Sequence, residues 1–280
     1  MMKSLTLKSL TIISLLSSSL LSKTIDEKVL RYEKHRISAN PNIQLTNIKL
    51  NFKKDLPDNN WVGYVYNISL KMQGKTINIK DIVFSDGLMI TPELKKLKNG
   101  QSYKKYMYPT LSSKYFKDEY RIAGNKDAQH KIVVFSDPLC PICTEVIPEI
   151  ILDVKKHPKI LSLYYIHMPL DMHPTAKLIA KASTIAKHSG IKDIDYKVYT
   201  AQFEDNFDAY QEKDREKVLK IFNKKFNTNI TMKQIDGKKL NEELKYHLKL
   251  SDEALIQGTP TVFFDSQIDP MRNKYKKYIK

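Results

Sequence analysis

The chain contains two cysteines, and they stand two residues apart in Cys140-Pro141-Ile142-Cys143. Sulfur at that spacing can hold a metal, close a small structural ring, or exchange a disulfide with another molecule. A tetrahedral metal site needs two more ligands. There is no second cysteine pair, and of the seven histidines (His35, His130, His157, His167, His173, His188, His247) the one pair at His-x3-5-His spacing, His167 and His173, lies more than twenty residues beyond Cys143 rather than beside the pair. No metal ligand is therefore assigned. A crosslink across so short a loop removes little chain entropy, which argues against a purely structural bridge. Disulfide exchange remains, with the Cys140–Cys143 disulfide itself as the redox group and no other cofactor.

The flanking residues say how the pair is presented. Val133-Val134-Phe135 is β-branched and aromatic, Ser136-Asp137-Pro138 is a turn signal, and apolar residues recur near helical spacing from Thr144 to Ile151. This reads as a buried strand, a tight turn, and a helix that starts at the CxxC. The first N–H groups of a helix lack intrahelical partners, and the dipole places partial positive charge there. A thiolate at that position is stabilised and its pKa falls. Cys140 is thus expected at the helix start, exposed and nucleophilic. Cys143, a turn further in and shielded by packing, is expected to resolve the mixed disulfide. Pro141 suits the first helical turn, where its missing N–H costs nothing.

A second stretch, Ile256-Gln257-Gly258-Thr259-Pro260-Thr261-Val262-Phe263-Phe264-Asp265, ends in a β-branched and aromatic strand. Pro260 is a candidate cis proline, because X–Pro is the bond at which cis costs little. Taken alone, an ordinary trans proline opening a strand explains it equally well. With the CxxC about 120 residues upstream, the cis reading is preferred. Its Thr259 N–H and C=O would turn outward and pair with an extended substrate segment by strand addition. Thr259, Pro260, Pro141 and Ile142 form the expected substrate-binding set.

Elements that must position these residues follow from pattern. Residues 43–84 alternate as an antiparallel sheet, with Ile48, Leu50 and Phe52 in one strand and Val62, Tyr64, Tyr66, Ile68, Leu70 and Met72 in the next. One apolar and one wet face are expected. A helix capped by Thr24 precedes the sheet, with Val29, Leu30 and His35 on its packed side, and Pro41 follows it. Thr91-Pro92-Glu93-Leu94 is expected to open a short helix that stops at Asn99-Gly100. Ile160 to Met168 reads as a strand, and His173 to about Leu250 as several amphipathic helices, with His173 a structural residue at a helix start. Strand, helical stretch and further strand imply helices inserted into an α/β core, α+β overall. The expected division is 1–22 leader, 23–100 N-terminal β-rich domain, 101–128 linker and 129–280 catalytic domain, with the junction between Gly100 and Lys114.

Met1-Met2-Lys3 through Lys8 is basic, and Leu10 to Leu21 is a short apolar run rich in Ser and Thr. It fits a secretory signal peptide cut near Ser19 to Ser22, with an uncleaved anchor as the alternative. The 280 residues suffice for two modest domains, and 41% hydrophobic content supports real cores. The formal charge is +16, but it is carried by lysine, with arginine only at 31, 36, 121, 215 and 272. Arginine-poor basicity without a recognition motif argues against nucleic acid as partner.

Phe-Ser-Asp-Pro-x-Cys-Pro-x-Cys (residues 135–143) together with Gly258-Thr259-Pro260-Thr261 resembles the thioredoxin-fold Dsb group, in particular its DsbC/DsbG-type thiol–disulfide isomerases. The helical insertion with Pro169-Leu170-x-x-His173-Pro174 is similar too. The resemblance covers residues 129–280; for residues 24–100 it rests on layout. It implies a thioredoxin-like domain with a helical insertion behind a small dimerisation domain. It also implies a periplasmic homodimer, Cys140 as attacking thiol, Cys143 as resolving thiol and Thr259-Pro260 as the substrate loop. The implied partners are misfolded or unfolded secreted proteins with disulfides, and a membrane redox partner that resets the thiols. A DsbA-like net oxidase and a dimeric periplasmic chaperone with secondary redox activity are the alternatives. Ile142 departs from relatives that carry an aromatic or a histidine there. Without a histidine beside the thiolate, a milder oxidant is expected.

Overall fold

The computed structural model describes residues 25–57, 60–72 and 74–279. The expected leader, its cleavage site, Thr24 and Gln73 lie outside the described residues. The chain divides into two compact units, Met1–Met107 and Tyr108–Lys280. No helix among the described residues is long and apolar enough to cross a membrane.

The first unit pairs helix α1 (residues 25–38) with a four-stranded antiparallel sheet. Its strands are β1 (Gln44–Asp55), β2 (Val62–Met72), β3 (Lys75–Ser85) and β4 (Ile90–Thr91), in that order. Val29 and Ile37 of α1 join Ile48, Tyr64, Tyr66, Ile68, Leu70 and Val83 in one core. Three expectations are corrected here. His35 is exposed, and the packed face of α1 runs Val29, Glu33, Ile37 at spacing i, i+4, i+8. Glu33 tolerates full burial because Arg36 Nη2 donates to it at 2.5 Å and also meets Asp81. The wet face of the sheet is not wet throughout: Val65, Ile82 and Phe84 are also buried. Met107 lies against Gly63, where a Cβ would stand 2.3 Å from its Sδ. In β1 the register shifts at Leu45/Asn47 and Leu50/Phe52 break the alternation, leaving Leu50 exposed.

The expected helix at Thr91–Asn99 does not form. Thr91 Oγ1 accepts the Glu93 N–H at 3.2 Å and donates to the Glu93 carbonyl at 2.9 Å. Lys95 bridges Ser102 in antiparallel fashion. A local side-chain turn thus outcompetes the helix, a known habit of threonine.

The second unit contains a five-stranded sheet in the order β5-β7-β6-β8-β9. The strands are β5 (Arg121–Gly124), β6 (His130–Ser136), β7 (Leu161–His167), β8 (Thr261–Phe264) and β9 (Gln267–Ile268). Only β6 and β7 are parallel, joined by α2 (Pro141–Lys156). The inner strands β6, β7 and β8 are buried on both faces over most of their length, as a sheet covered on both sides requires. Ile132, Val134, Leu163 and Val262 pack on Ile147, Ile150, Ile151 and Val154 of α2. Val133, Phe135, Tyr164 and Phe263 face Tyr115, Tyr120 and the last turns of α7 (Lys238–Glu253). Between β7 and α7 come α3 (Ala176–His188), α4 (Ile194–Tyr199), α5 (Arg215–Phe226) and α6 (Met232–Ile235), which share their own apolar core. Residues 108–128 do not run as a linker: Leu111, Tyr115 and Tyr120 are core residues and β5 is an edge strand.

Candidate redox site

The turn before α2 is held by one buried carboxylate. Asp137 Oδ1 accepts the Leu139 N–H at 2.7 Å, so the chain folds back on itself just after β6. Asp137 Oδ2 accepts the Leu170 N–H at 2.7 Å and lies 2.8 Å from His173 Nδ1. Asp137 and His173 are both buried. Burial works against the His173 cation, but the hydrogen bond and charge of Asp137, and the charge of Cys140, leave its pKa raised. Leu139 is seated in the apolar core of the helical insertion. The turn is therefore pinned from two directions, by an ion pair and by a buried leucine.

Cys140 is the N-cap of α2, with φ −73° and ψ 123°, and Pro141 occupies the first helical turn. The amides of Cys143 and Thr144 donate to the Cys140 carbonyl at 2.9 and 3.1 Å and close that turn. Cys140 is not exposed as the sequence implied: only 6% of it is accessible, and Cys143 is wholly buried. The cover comes from the loop before β8. The Thr259–Pro260 peptide is cis, and Cys140 Sγ lies 3.4 Å from the Thr259 carbonyl oxygen, to which it donates in its protonated form. That carbonyl faces the thiol. Ile142 is the exposed residue of the pair's neighbourhood, at 49%, with Pro141 exposed beside it.

The two thiols have opposite electrostatics. The Cys140 pKa is lowered to about 6. A hydrogen bond from the Cys143 thiol contributes most; burial opposes it; the Thr259 side chain and the amides of Cys143 and Ile142 add to it. The helix-start amides anticipated from sequence are present but secondary. Burial pushes the Cys143 thiol far up, and its bond to Cys140 reinforces this. At neutral pH roughly nine-tenths of Cys140 is thiolate, from a pKa about one unit below the pH. The pair thus sets a thiol drawn toward its thiolate form beside a thiol that keeps its proton.

A groove of about 640 Å³ opens beside the pair. Pro138, Leu139 and Pro141 form one wall, and Phe203, Phe207 and Tyr210 from the insertion form the other. Of the residues singled out from sequence, Cys140, Cys143, Thr259 and Pro260 come together at one point, with Pro141 and Ile142 on the surface next to it. Asp137, as the partner of His173, and the buried hydroxyls of Ser136, Tyr165 and Tyr199 went unassigned in the sequence. The signal for Asp137 was its place in the turn; the hydroxyls carry none, because tyrosines in strands and helices read as core. Among the described residues no cluster of three or more His, Cys, Asp or Glu could hold a metal.

Two thiols at a helix start, facing a cis-proline loop that leads into the inner strand β8 of a mixed sheet, define the class: a thiol–disulfide oxidoreductase built on the thioredoxin-like fold. The chain belongs to the thioredoxin family, whose model, described as Thioredoxin, matches residues 117–279. Solved structures similar to the chain include oxidised BdbD from Bacillus subtilis, at 20% identity and TM-score 0.46, covering 61% of this chain and 92% of that one. A putative protein-disulfide isomerase from Pseudomonas syringae matches at 13% identity and TM-score 0.49, covering 59% and 97%. ScsC from Proteus mirabilis in a compact conformation matches at 18% identity and TM-score 0.45, covering 56% and 75%. No curated protein matches the chain significantly.

Proposed function

We propose that this protein reduces and isomerises disulfides of secreted proteins in the periplasm, in the manner of the DsbC/DsbG-type isomerases that its active-site motifs resemble. The observation that carries the reading is the pairing of a thiolate-prone Cys140, 3.4 Å from the Thr259 carbonyl, with a buried, protonated Cys143. The Cys140 thiolate attacks a substrate disulfide. A mixed disulfide forms, and the other substrate sulfur leaves as thiolate. That thiolate, or another on the substrate, can attack a different sulfur and release Cys140, which is isomerisation. Alternatively Cys143 displaces the substrate thiol and closes the Cys140–Cys143 disulfide, which is reduction. The oxidised pair then needs an external dithiol donor, the membrane redox partner. Thr259 supplies backbone beside the reacting sulfur for an extended substrate strand. The exposed Pro141 and Ile142 extend that contact surface. Dimerisation through the first unit belongs to the same proposal.

Scrambled-ribonuclease reactivation, run beside the redox state of the pair in cells, tests it. Reactivation by reduced protein, with the pair mostly reduced in cells, is the expected outcome. A pair found oxidised in cells, with net oxidation of reduced ribonuclease, would assign the net-oxidase reading instead. Cys140→Ala that suppresses aggregation as well as the parent while losing insulin reduction would add a chaperone role.

A further inference from the structure

Behind Cys143 lies a set of buried hydroxyls that the exchange described above does not use. Tyr165 on β7 and Tyr199 at the end of α4 place their hydroxyl oxygens 2.6 Å apart. The Tyr199 hydroxyl donates to Ser136 Oγ at 2.6 Å. A phenol has one proton, so Tyr199, having given its own to Ser136, accepts from Tyr165. The other acceptor near Tyr165, the Ser136 carbonyl oxygen, is at 3.5 Å. Ser136 Oγ accepts from Tyr199 and keeps its own proton to give, and its hydroxyl favours the ionised form of Cys143. The order of donation is therefore Tyr165 to Tyr199 to Ser136 to Cys143, and all four residues are buried.

We propose that this hydroxyl chain stabilises the negative charge that develops on Cys143 Sγ when it attacks the Cys140 mixed disulfide. Ser136 is the hydroxyl that acts on the reacting sulfur; Tyr199 and Tyr165 are positioning residues that polarise it. The inference rests on the thiol–disulfide exchange proposed above. In the step concerned, an S–S bond forms between Cys143 and Cys140. The bond between Cys140 and the substrate sulfur breaks, and its electron pair leaves on the substrate sulfur. The proton of Cys143 is transferred to that departing sulfur. The enzyme dithiol is oxidised by two electrons and the substrate disulfide is reduced by two.

The need for donors follows from burial. Cys143 is wholly inaccessible, so its thiolate has no water to lean on. The groups that favour its ionised form are the Ser136 hydroxyl and the Asp137 backbone. The Asp137 carboxylate is committed elsewhere, to the Leu139 and Leu170 amides and to His173. Both tyrosines are held well above the ordinary phenol pKa by burial, so each remains a donor throughout the cycle. A chain of such donors is polarised cooperatively, each bond strengthening the next.

An aromatic disulfide such as dithiobis-nitrobenzoate separates the two steps in stopped flow. The first nitrothiolate released reports the attack by Cys140, and the second reports resolution by Cys143. Tyr199→Phe and Ser136→Ala are expected to slow the second phase by about tenfold or more, from loss of donation to a charged acceptor. The first phase should slow less than the second, because the hydroxyls act on Cys140 only indirectly, through the Cys143 S–H. Ser136→Thr, which keeps a hydroxyl, should recover most of the second phase. Tyr165→Phe should show a smaller slowing in the same direction, and it serves if Tyr199→Phe does not fold. An unaltered second phase in these variants, or equal slowing of both phases, overturns the inference while leaving the exchange reading intact. A parent protein whose Cys140 fails to react at all sinks the exchange reading and the inference with it.

Discussion

Replacing Cys143 by alanine should raise the pKa of Cys140. Four groups favour the Cys140 thiolate, and the Cys143 S–H is the largest of them, ahead of the Thr259 side chain and the two helix-start amides. A hydrogen bond to a charged acceptor contributes roughly 1.5–3 kcal/mol, and one pKa unit corresponds to about 1.4 kcal/mol. Its loss therefore raises Cys140 by roughly one to two units from its value of about 6. At pH 7 the thiolate fraction then falls from about nine-tenths to between about a half and a tenth. The assay is thiolate absorbance in the far ultraviolet against pH, repeated as the pH profile of alkylation by iodoacetamide. Linkage gives a second readout. Cys140 is lowered from an ordinary value of 9.0 to about 6. Its contribution to the stability of the reduced protein is thus complete above that ordinary value and is lost as pH falls through about 6. In the Cys143→Ala variant the lower edge of that window moves up. A variant whose Cys140 still titrates within about 0.3 units of the parent would refute the reasoning. The Ile142 and Cys143 amides and the Thr259 side chain would then carry the stabilisation.

Three further perturbations test the frame around the thiols. His173→Ala leaves the buried Asp137 without its cation and should cost about 3 kcal/mol in urea unfolding, with His173→Gln costing less. The His173 pKa is raised, so the pair's contribution is fully present below the unfolded value near 6.5 and fades as pH rises through the folded value. The deficit of His173→Gln should accordingly be larger at pH 6 than at pH 9, and an equal deficit at both would argue against the ion pair. His247 accepts the His167 N–H at 3.0 Å through Nδ1, and burial lowers its pKa to about 4. Here the stability is present above about 6.5 and lost as pH falls toward about 4. His247→Gln should flatten the stability curve across that range, and an unchanged slope would dismiss the pair as the acid-sensitive element. Gly124 has φ +78°, and a Cβ there would stand 2.1 Å from the Leu161 carbonyl oxygen. Gly124→Ala should therefore destabilise the second unit by about 2 kcal/mol or more, read by thermal melting.

Much of the architecture could be read from local pattern, and the misses share a cause. The alternation of Tyr64, Tyr66, Ile68 and Leu70 and the β-branched run at Val133-Val134 identify their strands without help, because period-two burial is a property of a few consecutive residues. Where a single side chain competes with the backbone, pattern misleads. Thr91 turns the chain back at Glu93 and no helix forms. The bulge at Leu50/Phe52 shifts the phase by one residue and turns Leu50 out. On α1 the buried position falls to Glu33 and not to His35, because the Arg36 guanidinium, itself held by Asp81 on β3, neutralises it. Of these partners only Asp81 and the strand opposite the bulge are distant in sequence; the Thr91–Glu93 and Glu33–Arg36 contacts are local but leave no periodic signature.

The sequence by itself determined that one sulfur stands at the start of a helix and the other one turn inside it. That follows from the turn signal, the proline and the apolar spacing, all within a dozen residues. Only the tertiary structure decided how reactive those sulfurs are. The cover that leaves Cys140 nearly inaccessible comes from Thr259 and Pro260. The clamp on its turn comes from Asp137 meeting His173, and the donors behind Cys143 come from Tyr165 and Tyr199 on separate elements. A pKa is set by what lies within a few ångströms of the atom; some of those neighbours, Cys143 first for Cys140, are local, but the burial, Thr259, His173 and the tyrosines are brought from tens to more than a hundred residues away.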